Sequence, residues 1–138
     1  MEAEALWALG KEVIACPGFH WMKGMTMIDE DGERAVVALE AEYSPGMWIA
    51  WIYREGEGWD QLDTGAAVPA LDDPATLGCL LALVREAWNE PEASSTAGAG
   101  YDGFWGWWAF AGGKQFEGVT EAEALVAAFK AVPAKEKR

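Results

Sequence analysis

The side chains best suited to nucleophilic catalysis or zinc binding are scarce in this chain. Its only histidine, His20, lies four residues after Cys16, and a Cys-His hydrolase or a zinc site would require this pair. Pro17-Gly18 lies between them and ends a helix, so the spacing does not align the two groups on one helical face. We therefore predict no catalytic, cofactor-binding or metal-binding residue, and we interpret Cys16 as a buried thiol at a helix end.

Two short strings resemble ligand-binding motifs but lack the surroundings that those motifs require. Residues 98–103 match G-x-G-x-x-G, yet a dinucleotide site needs a strand before this string and a helix after it. Residues 29–32 resemble part of a calcium loop without its third ligand and its terminal glutamate. We interpret the first string as a coincidence and the second as a hairpin turn.

Carboxylates are the one abundant group with catalytic potential, because the chain has 23 Asp and Glu residues. Glu40 and Glu42 alternate with apolar residues in a predicted strand, so they share one face of it. A strand with this alternation buries one face and exposes the other. The pattern predicts a solvated acidic face, and it leaves a small carboxylate-based hydrolase open as an alternative.

The charge of the chain restricts its partners more than any motif does. Residues 1–129 hold 22 acidic and 6 basic residues, a net charge of −16, within a total of −13 for the whole chain. A body this negative repels nucleic acid, anionic membranes and phosphorylated substrates, and it attracts basic protein surfaces. We therefore expect a basic protein partner, with no direct binding to nucleic acid or membrane.

The composition is typical of a folded cytoplasmic protein. Apolar residues make up 51% of the chain, and its 138 residues fit one domain. No apolar run approaches the roughly 20 residues that a membrane span needs, and the acidic N-terminal segment differs from a signal peptide. Two cysteines do not make a disulfide framework, which agrees with a reducing compartment.

Hydrophobic periodicity, caps and turns predict the secondary structure. Asp73 and Pro74 are typical of a helix start, and Thr120 with Glu123 predicts a capping box. The predicted helices are 2–15, 74–88 and 120–132, and the predicted strands are 19–28, 35–43, 47–54, 101–110 and 114–117. Residues 55–71 and 89–100 read as loops, the second of them mobile.

This order, α-β-β-β-α-β-β-α, predicts an α+β fold with an antiparallel sheet of about five strands packed by helices. We predict a single layered domain over residues 1–132, followed by a basic tail at 133–138.

Exposed aromatic residues are the second feature that indicates binding. Nine tryptophans are hard to accommodate entirely in one core, and Trp and Tyr dominate the energetic centres of protein interfaces. Combining the aromatic and acidic signals, we predict these partner-binding residues: Glu40, Glu42, Glu55, Glu57, Trp59 and Asp60.

Residues 77–84 are apolar all round, so we also expect the helix at 74–88 to be enclosed by other elements or to form a homodimer.

Three segments resemble parts of small uncharacterised phage and prophage proteins. They are residues 16–22 followed by Gly24-Met25, residues 73–88, and residues 120–128. The family has no assigned activity, so the resemblance implies a phage or prophage origin and an accessory role, and no residue role carries over.

The predicted function is therefore that of an acidic accessory protein in the cytoplasm of a host bacterium. It would bind a basic surface of a host or phage protein, as an inhibitor or nucleic-acid mimic, for example of a host defence or transcription protein. An oligomeric structural or virion-associated protein is the alternative that the apolar helix favours.

Overall fold

Three helices and two antiparallel sheets make up the part of the chain that the computed structural model describes. It describes residues 2–45, 47–54, 56–62, 66–99 and 105–133, and of residues 39–44, 47–49 and 99 the backbone alone. In chain order the elements are α1 (Ala3–Ile14), β1 (Thr26–Asp29), β2 (Arg34–Ser44), β3 (Met47–Arg54), β4 (Gly58–Gln61), β5 (Ala67–Pro69), α2 (Pro74–Trp88), β6 (Ser94–Ala99), β7 (Trp105–Ala111), β8 (Lys114–Gly118) and α3 (Glu121–Lys130).

The predicted α+β class with a five-stranded antiparallel sheet is confirmed, although the strands that form this sheet differ from the predicted ones. Its order is β4-β3-β2-β1-β5, and a second sheet has the order β6-β7-β8. β4 and β5 occupy the segment predicted as a loop over 55–71. Both strands are short, and their own sequences do not indicate strands. They are extended because they pair with β3 and β1, respectively.

Two further boundaries differ from the sequence prediction. The prediction of a loop throughout 89–100 is wrong at residues 94–99, because β6 pairs with β7 along its whole length. The strand predicted over 19–28 begins only at Thr26. Gly24 has a φ of +99° in a turn in which Met25 N–H donates to the Met22 carbonyl, and this turn interrupts the extended backbone.

The alternation predicted across Ala35–Tyr43 is interrupted within β2. Val37 pairs with Ile52, but Leu39 pairs with Trp51, so the register shifts by one residue at Ala38. Ile52 and Trp51 are neighbours on β3 and face opposite sides of the sheet. The alternation predicted for residues 35–43 therefore does not continue past Val37.

The chain divides into two compact units, residues 1–79 and residues 80–138, with the boundary inside α2. The prediction of one domain over 1–132 stays a prediction, and residues 134–138 of the predicted tail lie outside the described residues. The two units are described separately below.

In the first unit, α1 packs closely on β5. A Cβ added at Gly10 would lie 2.7 Å from Val68 Cβ, so the glycine permits this approach. Trp7 and Ile14 of the same helix pack against a buried cluster of Ile28, Val68 and Ala70. Burial of this apolar surface fixes α1 against the sheet.

The start of α2 is joined to β1 by a small polar network. Asp73 Oδ2 accepts hydrogen bonds from Thr76 N (3.1 Å), Thr76 Oγ1 (3.0 Å) and Thr26 Oγ1 (3.2 Å). Thr76 Oγ1 in turn accepts from Thr26 N at 2.8 Å, and Thr76 is fully buried. The predicted N-cap at Asp73 is therefore confirmed, and it also connects α2 to the sheet.

In the second unit, α3 covers one face of the β6-β7-β8 sheet. Leu125 and Phe129 of α3 are buried, as is Ala109 of β7. The predicted capping box of Thr120 and Glu123 is confirmed. It starts α3 immediately after β8, which brings the helix backbone close to the last residue of that strand, Gly118.

Candidate binding site

Three exposed side chains form a line across the outer face of the first sheet. Val36 pairs with Tyr53 and Tyr53 pairs with Trp59, so the three lie on neighbouring strands at matching positions. They are 47%, 46% and 60% exposed, whereas Val37 and Ile52 on the opposite face are buried. We call Val36, Tyr53 and Trp59 the aromatic stripe.

The two rings of the stripe are in direct contact. Their centroids lie 5.5 Å apart with an interplanar angle of 67°, an edge-to-face geometry. Such a contact favours this mutual orientation of the two rings by about 1 kcal/mol beyond the area that it buries.

The stripe lies in an open groove of about 880 Å³. The residues that line it come from β2, β3, β4 and the turns beside them: Glu33, Arg34, Ala35, Val36, Ala38, Tyr53, Arg54, Glu57 and Trp59. An apolar floor with charged residues at its rim is typical of a binding surface.

Among the described residues at this rim, the two arginines form ion pairs and the two glutamates do not. Arg34 donates two hydrogen bonds to Asp72, at 2.8 and 2.7 Å, and Arg54 lies 3.6 Å from Asp29. Among the described residues, neither Glu33 nor Glu57 has a cationic partner, and both are exposed. The groove therefore offers carboxylates to an incoming cation, while its own cations are already paired.

The Arg34–Asp72 pair predicts a small loss of stability in acid. Hydrogen bonding to Arg34 holds the pKa of Asp72 below its ordinary value. The pair therefore stabilises the fold above a pH of about 4, and this contribution is lost as the pH falls through the folded-state pKa of Asp72. Because the two side chains are 44% and 39% exposed, we expect no more than about 1 kcal/mol.

Denaturant unfolding of the wild type and of Asp72→Asn tests this contribution at neutral pH and in acid. The difference between the two proteins should shrink toward zero in acid, where both lack the carboxylate charge. A difference that stays constant with pH would contradict the assignment.

The structure brings two of the six predicted binding residues into the groove. Glu57 and Trp59 line it, whereas Asp60 is the neighbour of Trp59 on β4 and pairs with the buried Ile52, on the other face. Glu55 lies outside the described residues. Glu40 and Glu42 pair with Ala50 and Trp48 through the backbone, and their side chains lie outside the description, so their role stays a prediction.

Sequence reasoning missed Val36, Tyr53 and Arg34 as parts of the site. β3 is apolar on both faces and is an interior strand of the sheet. An interior strand still has an outer face, and here no described element of the first unit covers Tyr53. The signal available in the sequence was the pair Tyr53 and Trp59, which flank one hairpin turn.

The remaining candidates give no comparable site. Cys16 is half-buried rather than buried, and its Sγ donates to the Glu12 carbonyl at 3.3 Å, one helical turn earlier. Within the described ranges, no group of three or more His, Cys, Asp or Glu side chains is placed to hold a metal ion. Among the described residues, Thr76 is the only buried polar side chain.

The apolar helix α2 buries much of the surface that suggested a homodimer. Leu80, Leu83 and Val84 are buried, while Leu77, Leu81 and Ala82 are half-buried. The homodimer stays a prediction, with less exposed apolar area to support it. None of the helices in the described ranges has the length and apolar character to cross a membrane.

Comparisons with known proteins add no assignment to this site. No protein-family model matches the chain, and no curated protein and no solved structure matches it significantly.

Proposed function

We propose that this chain is a binding protein whose aromatic stripe engages a basic surface on another protein. The observation that carries the proposal is Trp59, which is 60% exposed and held edge-on against Tyr53 in an open groove. Large exposed aromatic side chains on a rigid sheet are the anchors that protein interfaces use most, because they bury much area at little entropic cost.

The charge of the chain supports a basic partner. Two of the acidic residues in the body of residues 1–129, whose net charge is −16, are the exposed Glu33 and Glu57 that line the groove. Complementary charge accelerates association and makes it sensitive to salt. A Lys or Arg side chain placed on Trp59 would add a cation–π interaction within reach of Glu57.

The setting that we propose follows from the resemblance to phage and prophage proteins. The partner would be a host or phage protein, and binding would inhibit it by covering a basic groove that otherwise holds nucleic acid. This form of the proposal requires competition: added double-stranded DNA should displace the chain from a nucleic-acid-binding partner, and the chain should displace the DNA.

Replacing Trp59 with alanine tests the proposal. We expect an affinity for the partner about thirtyfold lower, since truncating an interface anchor costs about 2 kcal/mol. Partners captured from host lysate at low and high salt are identified by mass spectrometry, and the dissociation constant of the purified basic partner is then measured by calorimetry.

Trp105→Ala is the matched control, because Trp105 is 76% exposed but lies in the second unit, on β7. It should bind as the wild type does. A Trp59→Ala variant with wild-type affinity, or a partner that is acidic and indifferent to salt, would contradict the proposal.

A further inference from the structure

Among the strands that the structure describes, β4 is the last on its side of the first sheet, and the register shows which of its backbone groups face outward. Leu62 N donates to the Ala50 carbonyl at 2.9 Å, which marks 62/50 as a hydrogen-bonded pair. Hydrogen-bonded pairs alternate along an antiparallel ladder, so 60/52 and 58/54 are also of this kind. Trp59 and Gln61 therefore direct their N–H and C=O groups away from β3, toward the open edge.

This edge lies beside the aromatic stripe and is accessible. Trp59, Asp60 and Gln61 are all exposed. Asp60 Oδ1 accepts a hydrogen bond from Gln61 N at 2.9 Å, so a carboxylate of the chain itself occupies one outward amide. Unpaired strand edges are templates for another strand, and a neighbouring carboxylate restricts which strand can pair.

We propose that an extended Lys- or Arg-bearing segment of the partner adds to the sheet as a strand beside β4. This inference rests on the proposed function and specifies how the same groove is occupied. The side chain opposite Trp59 on an added strand lies on the same face and within cation–π distance of its ring. A basic side chain of the partner would therefore lie next to Trp59 and extend the aromatic stripe by one strand.

The carboxylates beside the edge of β4 favour a basic strand over other occupants of that edge. The carboxylate of Glu57 lines the groove next to the edge, and Asp60 follows Trp59 on β4 itself. A second copy of the chain, paired antiparallel through β4 with Trp59 opposite Gln61, would place Asp60 against its own equivalent and bring together two bodies of the same negative charge. A basic segment instead supplies a cation to Glu57 and releases Asp60 from the Gln61 amide.

A short synthetic peptide in which Lys alternates with Val and Thr is the probe. We expect it to bind the wild type and to protect the Trp59 amide from hydrogen exchange. The same peptide with methylated backbone nitrogens keeps its charge but cannot pair with an edge, and we expect its affinity to be about thirtyfold lower.

Gln61→Pro and Gln61→Ala are the matched variants on the protein side. Proline removes an outward N–H, which an edge strand tolerates, whereas alanine retains it. We expect Gln61→Pro to lose about tenfold in peptide affinity and Gln61→Ala to bind as the wild type does.

The outcomes separate this inference from the proposed function. Equal binding of the methylated and unmethylated peptides, or no binding of the unmethylated peptide, would overturn strand addition. Dimerisation of the chain through β4 would also overturn it. If the captured basic partner nevertheless still depends on Trp59, the groove remains the binding site and only the mode of pairing is wrong.

Discussion

Replacing Asp73 with alanine should lower the free energy of unfolding by about 3 kcal/mol, the largest effect that we expect from a single polar side chain. One carboxylate oxygen accepts three hydrogen bonds, from the amide and hydroxyl of Thr76 and from the hydroxyl of Thr26. Its loss removes the N-cap of α2 and leaves the buried Thr76 hydroxyl without its acceptor. Denaturant unfolding followed by circular dichroism measures the change.

Asp72→Ala is the control at the adjacent position. It removes a carboxylate whose pair with Arg34 is exposed, so we expect a loss of less than about 1 kcal/mol. Equal destabilisation by the two variants would mean that the network around Thr76 contributes no more than a surface ion pair.

Gly118→Ala should destabilise the second unit by about 3 kcal/mol, because a new methyl group has no space there. Its Cβ would lie 2.5 Å from Ala124 N and 2.6 Å from Glu123 Cβ, in the first turn of α3. The nearest atom belongs to the helix backbone and cannot rotate away, so the helix or the end of β8 must shift.

Gly98→Ala in β6 of the same sheet provides the comparison. A Cβ at this position meets no atom within 4 Å, and its φ is not positive. We expect Gly98→Ala to be neutral or slightly stabilising, because alanine loses less backbone entropy than glycine on folding. A stable Gly118→Ala protein with unchanged α3 would show that the close approach of β8 to the helix is dispensable.

Local signals in the sequence predicted the helix starts correctly, because each depends on residues only a few positions apart. Asp73 caps α2 and Thr120 with Glu123 caps α3, as expected. The antiparallel pairing of β1 with β2 and of β2 with β3 likewise involves neighbouring strands joined by short turns.

The errors lie where distant residues decide the structure. β6 is built from small residues, most of which have little strand preference, and its pairing with β7 makes it a strand. The register shift at Ala38 depends on the fit between β2 and β3, which no periodicity within β2 reveals.

Only part of the candidate site could be predicted, because the rest of it also depends on distant residues. Trp59 and Glu57 were identified from type and charge alone. Tyr53 and Val36 become site residues through cross-strand pairing, and Arg34 lines the groove while its side chain pairs with Asp72, 38 positions away. The residue types in the sequence thus indicate the exposed aromatic and charged candidates, whereas the strand pairing is needed to identify the residues around them.

The position of Trp88 gives the chain a built-in spectroscopic reporter. Its indole Nε1 donates to the Ala128 carbonyl at 2.9 Å, and its ring contacts Gly112 and lies 6.2 Å from the Phe116 ring. All of these partners belong to the second unit, whereas Trp59 lies in the first. With fluorinated tryptophan, the ¹⁹F resonance of Trp88 would follow the integrity of one unit while that of Trp59 follows occupancy of the groove in the other.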